Sequence, residues 1–230
     1  MLERQLRENL ERVLEKIERA CQRAGRKREE IKILGASKKQ DPEKIRLLYQ
    51  LGIKIFGENY VQEAEKKQVF LSDLDIEWHF IGRLQRNKVK KALQIFHVIE
   101  TLDRIELASE IQKKLKEKEK KFPLFIEVNI GKEPTKAGVK PEELFNFAES
   151  LLEYKGLEIR GLMCLPPYFE EVERVRPYFR KMRELFEKIA PLFGETFKEL
   201  SMGTSSDFEI AIEEGATIIR LGTILFGQRM

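Results

Sequence analysis

The sequence has few of the features that mark secreted, metal-binding or membrane proteins. Its 230 residues include two cysteines, Cys21 and Cys164, which lie far apart and form no C-x-x-C motif. We therefore expect reduced thiols and no metal site, as in proteins of the cytoplasm. No apolar run reaches membrane-spanning length, and the charged N-terminus has no signal peptide. The sequence predicts a cytoplasmic protein with no membrane segment.

A strong charge imbalance is also absent. The 43 basic and 39 acidic side chains leave a net charge of +4, which gives no argument for a nucleic-acid partner. The Lys-rich segment 113–121 also carries glutamate, and this mixture is more typical of a solvated helix face. The motifs G-x-G-x-x-G, G-x-x-x-x-G-K-[ST] and H-E-x-x-H are missing, so the usual signatures of dinucleotide, nucleoside triphosphate and zinc-protease sites are not found.

What the chain does contain is a regular alternation of short apolar strands and amphipathic helices. Residues 1–24 form a leading helix, and residues 31–227 alternate strand and helix eight times. The predicted strands cover residues 31–38, 53–56, 76–82, 96–100, 123–130, 157–165, 197–202 and 217–226. Among the predicted helices, one covers residues 103–118 and a long one follows residues 166–167 and runs to about residue 190. This order predicts an α/β fold, a single (β/α)8 TIM-type barrel domain over residues 1–230 with an extra N-terminal helix. A doubly wound open sheet is the structural alternative.

The first predicted strand ends in a lysine, Lys38. The carboxyl edge of a parallel sheet is where α/β folds bind their ligands. A partly desolvated lysine there loses some of its preference for the charged form, and the neutral amine attacks aldehydes. Taken alone, Lys38 is explained more simply as a residue that caps a strand and reaches water.

Two late segments combine hydroxyl groups with glycine. Ser201-Met202-Gly203-Thr204-Ser205-Ser206-Asp207 precedes a predicted helix, and Arg220-Leu221-Gly222-Thr223 adds a cation and another hydroxyl. Barrels often bind phosphate between the loops after strands seven and eight, although an N-cap explains the first segment equally well. A phosphate site and a reactive lysine on one face predict a phosphorylated aldehyde, either pyridoxal phosphate or a sugar phosphate in a Schiff-base aldolase.

Three other residues are candidates for the interior of the barrel. His79 alternates with Trp78 and Phe80 in a strand, so it could contact a ligand ring, but a histidine satisfied within the core is an equal alternative. Met163 and Cys164 could line the floor of the site, although an apolar strand end also explains them. We expect His97 to be structural.

Several motifs together resemble the pyridoxal phosphate homeostasis protein family, from about residue 31 to the C-terminus and in the same order. They are Gly35-Ala36-Ser37-Lys38, Phe56-Gly57-Glu58-Asn59-Tyr60-Val61-Gln62-Glu63, Trp78-His79-Phe80-Ile81-Gly82, Leu84-Gln85 with Asn87-Lys88, Arg160-Gly161-Leu162-Met163, Leu200-Ser201-Met202-Gly203, and Arg220-Leu221-Gly222-Thr223 with Phe226-Gly227. The family's fold resembles the barrel domain of bacterial alanine racemase.

The resemblance implies a set of cofactor-binding residues and no metal. Lys38 would carry pyridoxal phosphate as a Schiff base, Arg220 would face the pyridine nitrogen, and Asn59 and His79 would lie near the ring. The remaining residues of the implied set would hold the phosphate or complete the pocket: Ser201, Gly203, Ser205, Gly222, Thr223 and Met163. The implied function is intracellular homeostasis of the cofactor, by buffering it or delivering it to apo enzymes, without established catalysis.

The alternative is a barrel enzyme that acts on a phosphorylated metabolite or an amino acid, as a pyridoxal phosphate-dependent racemase or a Schiff-base aldolase. An arginine at the pyridine nitrogen weakens the ring as an electron sink, which disfavours racemase chemistry. We expect a monomer, because no second domain follows the eighth strand. The rim departs from the family pattern at Lys39, Arg83 and Thr204, so no partner can be predicted from these positions.

Overall fold

Eight parallel strands close into a barrel within residues 1–115 and 121–228, the parts of the chain that this computed structural model describes. The strands are β1 (Lys32–Ala36), β2 (Ile55–Glu58), β3 (Glu77–Phe80), β4 (Val98–Leu102), β5 (Phe122–Val128), β6 (Leu157–Cys164), β7 (Glu199–Ser201) and β8 (Ile218–Leu221). Each strand pairs with the next along the chain, and β8 closes the barrel on β1, with Ile33 opposite Ile219. The predicted (β/α)8 barrel is confirmed, and the open-sheet alternative is wrong.

Helices cover the outside of the barrel. They are α1 (Leu2–Ala24), α2 (Pro42–Gln50), α3 (Val61–Phe70), α4 (Val89–Ile95), α5 (Ile105–Leu115), α6 (Leu144–Leu151), α7 (Arg176–Phe193), α8 (Phe208–Glu213) and α9 (Thr223–Phe226). The extra N-terminal helix α1 ends where Gly25 adopts φ 64°, in the left-handed region that glycine favours. The Asn9 amide donates to the Leu225 carbonyl at 3.1 Å, which joins the two ends of the chain.

Apolar side chains fill the middle of the barrel. Leu34, Val98, Phe125, Met163 and Ile218 form one buried cluster there, while the outward faces of the strands pack against the helices in a larger core. Leu, Ile, Val and Phe on parallel strands are buried on both faces, as expected of a barrel. Beside this apolar cluster, buried polar side chains also lie on the strands: His79, Glu100, Ser201 and Arg220. The carboxyl ends of the strands are where barrels bind their ligands.

The second strand begins and ends two residues later than predicted. Residues 53–56 were expected, but β2 is Ile55–Glu58, because Gly57 pairs with His79 and Glu58 with Phe80 on β3. Glu58 therefore belongs to the sheet and is fully buried.

The eighth strand is shorter than the predicted segment 217–226. It ends at Leu221, and after Gly222 the chain turns into α9. The Phe226 N–H donates to the Gly222 carbonyl at 2.9 Å, a helical bond that an extended strand could not make. Gly222 and Thr223 therefore follow the strand, at the mouth of the barrel.

Two predicted helices also have different bounds. The helix expected after residues 166–167 begins at Arg176, following a 3-10 turn at Val172–Val175, and extends to Phe193. The helix predicted over residues 103–118 is observed at Ile105–Leu115, and residues 103–104 precede it outside the helix. Residues 116–118 of that prediction and residues 116–120 of the Lys-rich segment lie outside the described residues.

Candidate functional site

Lys38 occupies the corner of a tight turn just after β1. The predicted strand over residues 31–38 stops at Ala36, and the Gln40 N–H donates to the Ser37 carbonyl at 2.9 Å to close the turn. Lys38 is half-buried, and Lys39 has φ 59°, which is uncommon for a residue other than glycine. Lys38 therefore follows β1 at the carboxyl edge of the barrel, as predicted.

The loops after β7 and β8 meet beside this turn. The backbone N–H groups of Gly222 and Ile224 lie 3.2 and 3.4 Å from the Ser205 hydroxyl oxygen, which accepts from them. A Cβ built on Gly222 would lie 3.9 Å from the Ala36 carbonyl oxygen, so this loop runs along the end of β1. Amide and hydroxyl groups from the two loops thus lie close together beside Ala36, the residue two positions before Lys38. Groups of this kind bind anions.

Gly203 has two structural reasons to be glycine. Its φ is 93°, and a Cβ there would lie 2.5 Å from the Ala211 side chain on α8. Its carbonyl accepts the Arg220 N–H at 2.9 Å. Gly203 thus allows the β7 loop to pack closely between α8 and β8, which positions Ser205.

Below the mouth, four side chains form a buried chain of hydrogen bonds that we call the interior network: His79, Glu100, Ser201 and Arg220. The His79 Nδ1 lies 2.6 Å from one Glu100 oxygen, and the Ser201 hydroxyl donates to the other at 2.6 Å. The Arg220 guanidinium donates to the Ser201 hydroxyl at 2.8 Å and to the Cys164 carbonyl at 2.6 Å. Arg220 is thus fixed in place within the barrel.

His79 carries a positive charge at neutral pH. Burial disfavours the charged ring, but hydrogen bonds to Glu100 and to Glu77, 3.0 Å from Nε2, outweigh it and raise the pKa of His79 to about 9. Both ring nitrogens are therefore occupied by carboxylates, and the ring packs edge-on against Phe125. His79 is thus satisfied within the core, and its contact with a ligand ring stays a prediction.

Glu127 brings an acidic group to the mouth of the barrel. Burial, with a contribution from Asp103, raises its pKa to about 7, and Arg220, Arg83 and Arg104 oppose that shift. Sequence analysis did not identify Glu127.

A basic cleft of about 880 Å³ adjoins this mouth. Arg83, Arg86, Lys88 and Arg104 are among the residues that line it, together with Asn59. Gly82 is required here, because a Cβ would lie 2.2 Å from the Asn59 carbonyl oxygen. Basic side chains around a cleft attract anions and raise their local concentration.

Of the ten predicted residues, Gly203 shapes the loop after β7, and the other nine lie at two levels. Lys38, Asn59, Ser205, Gly222 and Thr223 lie at the mouth. Ser201, Arg220, His79 and Met163 lie inside the barrel, and each is buried. The Ser201 hydroxyl bonds Glu100 and Arg220, and its role in holding the phosphate stays a prediction.

Sequence analysis also missed Glu100, which is fully buried. An acidic residue inside the apolar strand Val98–Leu102 is the signal that could have found it, because a buried carboxylate requires a partner. Among the described residues, no group of three His, Cys, Asp or Glu side chains is arranged to hold a metal ion. No helix in the same ranges is long and apolar enough to cross a bilayer.

Comparisons with known proteins agree with this architecture. A family model described as alanine racemase, N-terminal domain matches residues 5–230. A relative from Aquifex aeolicus (strain VF5), named pyridoxal phosphate homeostasis protein, is 53% identical over 222 residues, which cover 96% of this chain and 97% of the relative. The chain belongs to the pyridoxal phosphate homeostasis protein family. The resemblance drawn from the sequence motifs is confirmed.

Two solved structures are similar to this protein in fold. PipY of Synechococcus elongatus PCC7942, with PLP bound, is 35% identical with a TM-score of 0.79, and the match covers 86% of this chain and 93% of PipY. Alanine racemase of Clostridium difficile 630 is 16% identical with a TM-score of 0.73, over 97% of this chain and 56% of the racemase. The second likeness shows a shared fold alone.

Proposed function

We propose that the protein binds pyridoxal phosphate (PLP) reversibly on Lys38 and takes part in intracellular PLP homeostasis by buffering or delivering the cofactor. The observation that carries the proposal is the meeting of the Lys38 turn with the β7 and β8 loops, where Gly222 lies against Ala36. The name of the 53% identical relative and the PLP bound to PipY support the same ligand.

The polar groups at the mouth fit the phosphate of PLP. Ser205, Gly222 and Thr223 would hold it, since amides of the β8 loop already converge on the Ser205 hydroxyl. A phosphate accepts several hydrogen bonds, and backbone N–H groups supply them without a side-chain entropy cost. The basic cleft beside the mouth favours the approach of such an anion.

Lys38 would hold the aldehyde end of the cofactor. When bound, PLP supplies an aldehyde that condenses with a primary amine, and the loss of water leaves a C=N bond, a Schiff base. The half-buried position of Lys38 just after β1 suits this role, since the residue is shielded in part from water at the edge where barrels bind their ligands.

Arg220 would face the pyridine nitrogen. The guanidinium stays protonated at all ordinary pH values, and the interior network holds it through Ser201. A fixed cation there keeps the pyridine nitrogen unprotonated, which weakens the ring's capacity to stabilise a carbanion. The site therefore favours storage of the cofactor over catalysis on amino acids.

Borohydride trapping with peptide mapping tests the proposal. Borohydride reduces a C=N bond to a stable amine, so wild-type protein treated with PLP and then borohydride should carry one phosphopyridoxyl group, on the peptide that contains Lys38. Lys38→Ala should lose the adduct, and Lys39→Ala, which removes the neighbouring amine, should keep it. An adduct that persists in Lys38→Ala within the same pocket would refute the assignment.

Weak racemase-like activity is the second candidate, since the alanine racemase fold is shared. We expect amino-acid racemisation to be far below the rates typical of enzymes, for the electronic reason given for Arg220. A racemisation assay of purified protein, with Lys38→Ala as the control, measures this directly. Turnover of about 1 per second or faster, abolished by Lys38→Ala, would make the protein an enzyme.

Delivery of PLP to apo enzymes and a monomeric state complete the proposal. Mixing the PLP-loaded protein with an apo PLP-dependent enzyme should restore that enzyme's activity. Restoration at the rate of free PLP release would leave buffering as the role.

Light scattering should give the mass of one chain, 27.1 kDa.

A further inference from the structure

We infer that Glu58, Glu63 and Lys67, a group that we call the turn cluster, positions the Lys38 amine for its reaction with an aldehyde. The inference rests on the proposed function of Lys38. None of the three residues is a predicted cofactor ligand, and two of them, Glu58 and Lys67, are buried behind the turn. They are positioning residues, since they act through the backbone on either side of Lys38.

The turn cluster bonds the residues that flank Lys38. The Lys67 ammonium donates to the Ser37 carbonyl at 2.7 Å, and the Lys39 N–H donates to a Glu63 carboxylate oxygen at 2.6 Å. The Ser37 hydroxyl donates to Glu58 at 2.6 Å. The chain is therefore held immediately before and immediately after Lys38.

The cluster is itself cross-linked. The Lys67 ammonium lies 2.6 Å from a Glu58 oxygen and 2.7 Å from Glu63. Glu63 and Lys67 are one helical turn apart on α3, and Glu58 ends β2. Because β2 and α3 are part of the barrel, the cluster fixes the position of the turn relative to the barrel.

The conformation of Lys39 shows why the turn needs such support. Its φ of 59° lies in the left-handed region, which is unfavourable for a residue with a side chain. The Glu63 acceptor on the Lys39 N–H opposes relaxation of that strain. Release of Glu63 would let the turn change shape and redirect the Lys38 side chain.

Stability alone does not account for this arrangement. Lys67 is 5% exposed and Glu58 is 0% exposed, and removing such charges from water costs free energy that an apolar group of the same shape would not. One Glu58 oxygen, Oε2, has no hydrogen-bond partner among the described residues. A cluster that carries this cost while bonding both neighbours of Lys38 is best explained by the geometry that it imposes there.

Variants of the cluster separate positioning from folding. Glu63→Ala removes the acceptor for the Lys39 N–H, whereas Glu63→Gln keeps an acceptor oxygen of the same reach. Lys67→Met removes the bond to the Ser37 carbonyl, and Lys66→Met, at an exposed neighbouring position on α3, is the matched control. Each variant is first checked for cooperative thermal unfolding.

Two readouts follow the Lys38 amine. The first is the labelling rate of Lys38 by an amine-directed acylating reagent in cofactor-free protein, measured by peptide mass spectrometry against the exposed Lys90. The second is the rate of borohydride-trapped PLP. We expect Lys67→Met and Glu63→Ala to slow trapping roughly 10- to 100-fold and to change Lys38 labelling relative to Lys90. Glu63→Gln should lie near wild type, and Lys66→Met should equal it.

Folded Glu63→Ala and Lys67→Met variants with wild-type labelling and trapping would overturn the inference. If Lys67→Met does not fold, Glu63→Ala decides, since it leaves the Lys67–Glu58 pair intact. Equal losses in Glu63→Gln and Glu63→Ala would also contradict it, because they would point to charge rather than turn geometry. If wild-type protein traps no PLP on Lys38, the proposed function fails, and the labelling ratio still tests positioning by itself.

Discussion

The interior network and the turn cluster both bury charged side chains near the mouth of the barrel, yet one fixes a side chain and the other fixes the backbone. The interior network fixes a side chain, because Ser201 and the Cys164 carbonyl accept from the Arg220 guanidinium. The turn cluster fixes backbone, because Lys67 and Glu63 bond the Ser37 carbonyl and the Lys39 N–H. One group places a charge, and the other shapes a turn.

The two groups also differ in how completely their hydrogen bonds are satisfied. Among the described residues, no buried polar atom of the interior network lacks a partner, whereas Glu58 Oε2 in the turn cluster does. Burial raises the pKa of Glu58 although Lys67 opposes it. A fully satisfied buried network is rigid and costly to break, and a partly satisfied one is less so. Stability should therefore depend more on the interior network.

The largest effect should come from Glu100→Gln. This change leaves the charged His79 and Arg220 without their buried carboxylate, and breaking a buried ion pair typically costs about 3–5 kcal/mol. Glu58→Gln should cost less, about 1–2 kcal/mol, since the amide oxygen can still accept from Lys67 and Ser37. Urea denaturation of both variants measures the difference. Equal losses would remove the contrast between the two groups.

The second effect is a pH dependence from His79. Its pKa rises from 6.5 to about 9 on folding, so the folded protein binds the proton more tightly. The resulting stability is fully present below about pH 6.5 and is lost as the pH rises through about 9, in total about 3 kcal/mol. Urea midpoints between about pH 6 and pH 10 should fall in wild type, and His79→Gln should remove most of that slope. A slope unchanged in His79→Gln would place its origin elsewhere.

A pH dependence of the same direction, over a lower pH range, is expected at Glu127. Its folded pKa of about 7 exceeds the ordinary value of 4.5, so the folded protein retains a proton that the unfolded chain releases. Stability therefore falls as the pH rises from about 4.5 to 7. Glu127→Gln should raise the free energy of unfolding above about pH 7 by as much as about 3 kcal/mol, and leave it nearly unchanged near about pH 4. Thermal unfolding at the two pH values tests this, and destabilisation at the higher pH would contradict it.

The smallest effect concerns the backbone that the turn cluster holds. Lys39→Gly removes the side-chain strain at φ 59° but adds freedom to the unfolded chain, so the net gain should not exceed about 1 kcal/mol. Thermal unfolding measures it, with Gln40→Gly, outside the left-handed region, as the destabilising control. A loss of stability in Lys39→Gly would show that the turn is unstrained.

The fold could be predicted because its signals are local. Apolar strands and amphipathic helices alternate along the chain, and Lys38, Ser205 and Gly222 follow strands that a barrel brings to one face. The end of β8 could not be predicted, because Leu225 and Phe226 are apolar in either a strand or a helix, and only the packing of α9 decides between them.

The two buried groups could not be predicted because their partners are distant in sequence. His79 and Glu100 are 21 residues apart and Ser201 is 101 residues from Glu100, so their contacts exist only in the closed barrel. Lys67 lies in the charged run Glu65-Lys66-Lys67, where a solvated position is the natural expectation. Its burial depends on how α3 packs against the Lys38 turn, which no local pattern encodes.

A crystal structure of the protein grown with PLP tests the central claim most directly. The account predicts continuous density from the Lys38 amine to the cofactor, a phosphate held by Ser205, Gly222 and Thr223, and the Arg220 guanidinium at the pyridine nitrogen. A cofactor attached to another lysine, or a Lys38 side chain directed away from the β7 and β8 loops while PLP occupies the mouth, would contradict it.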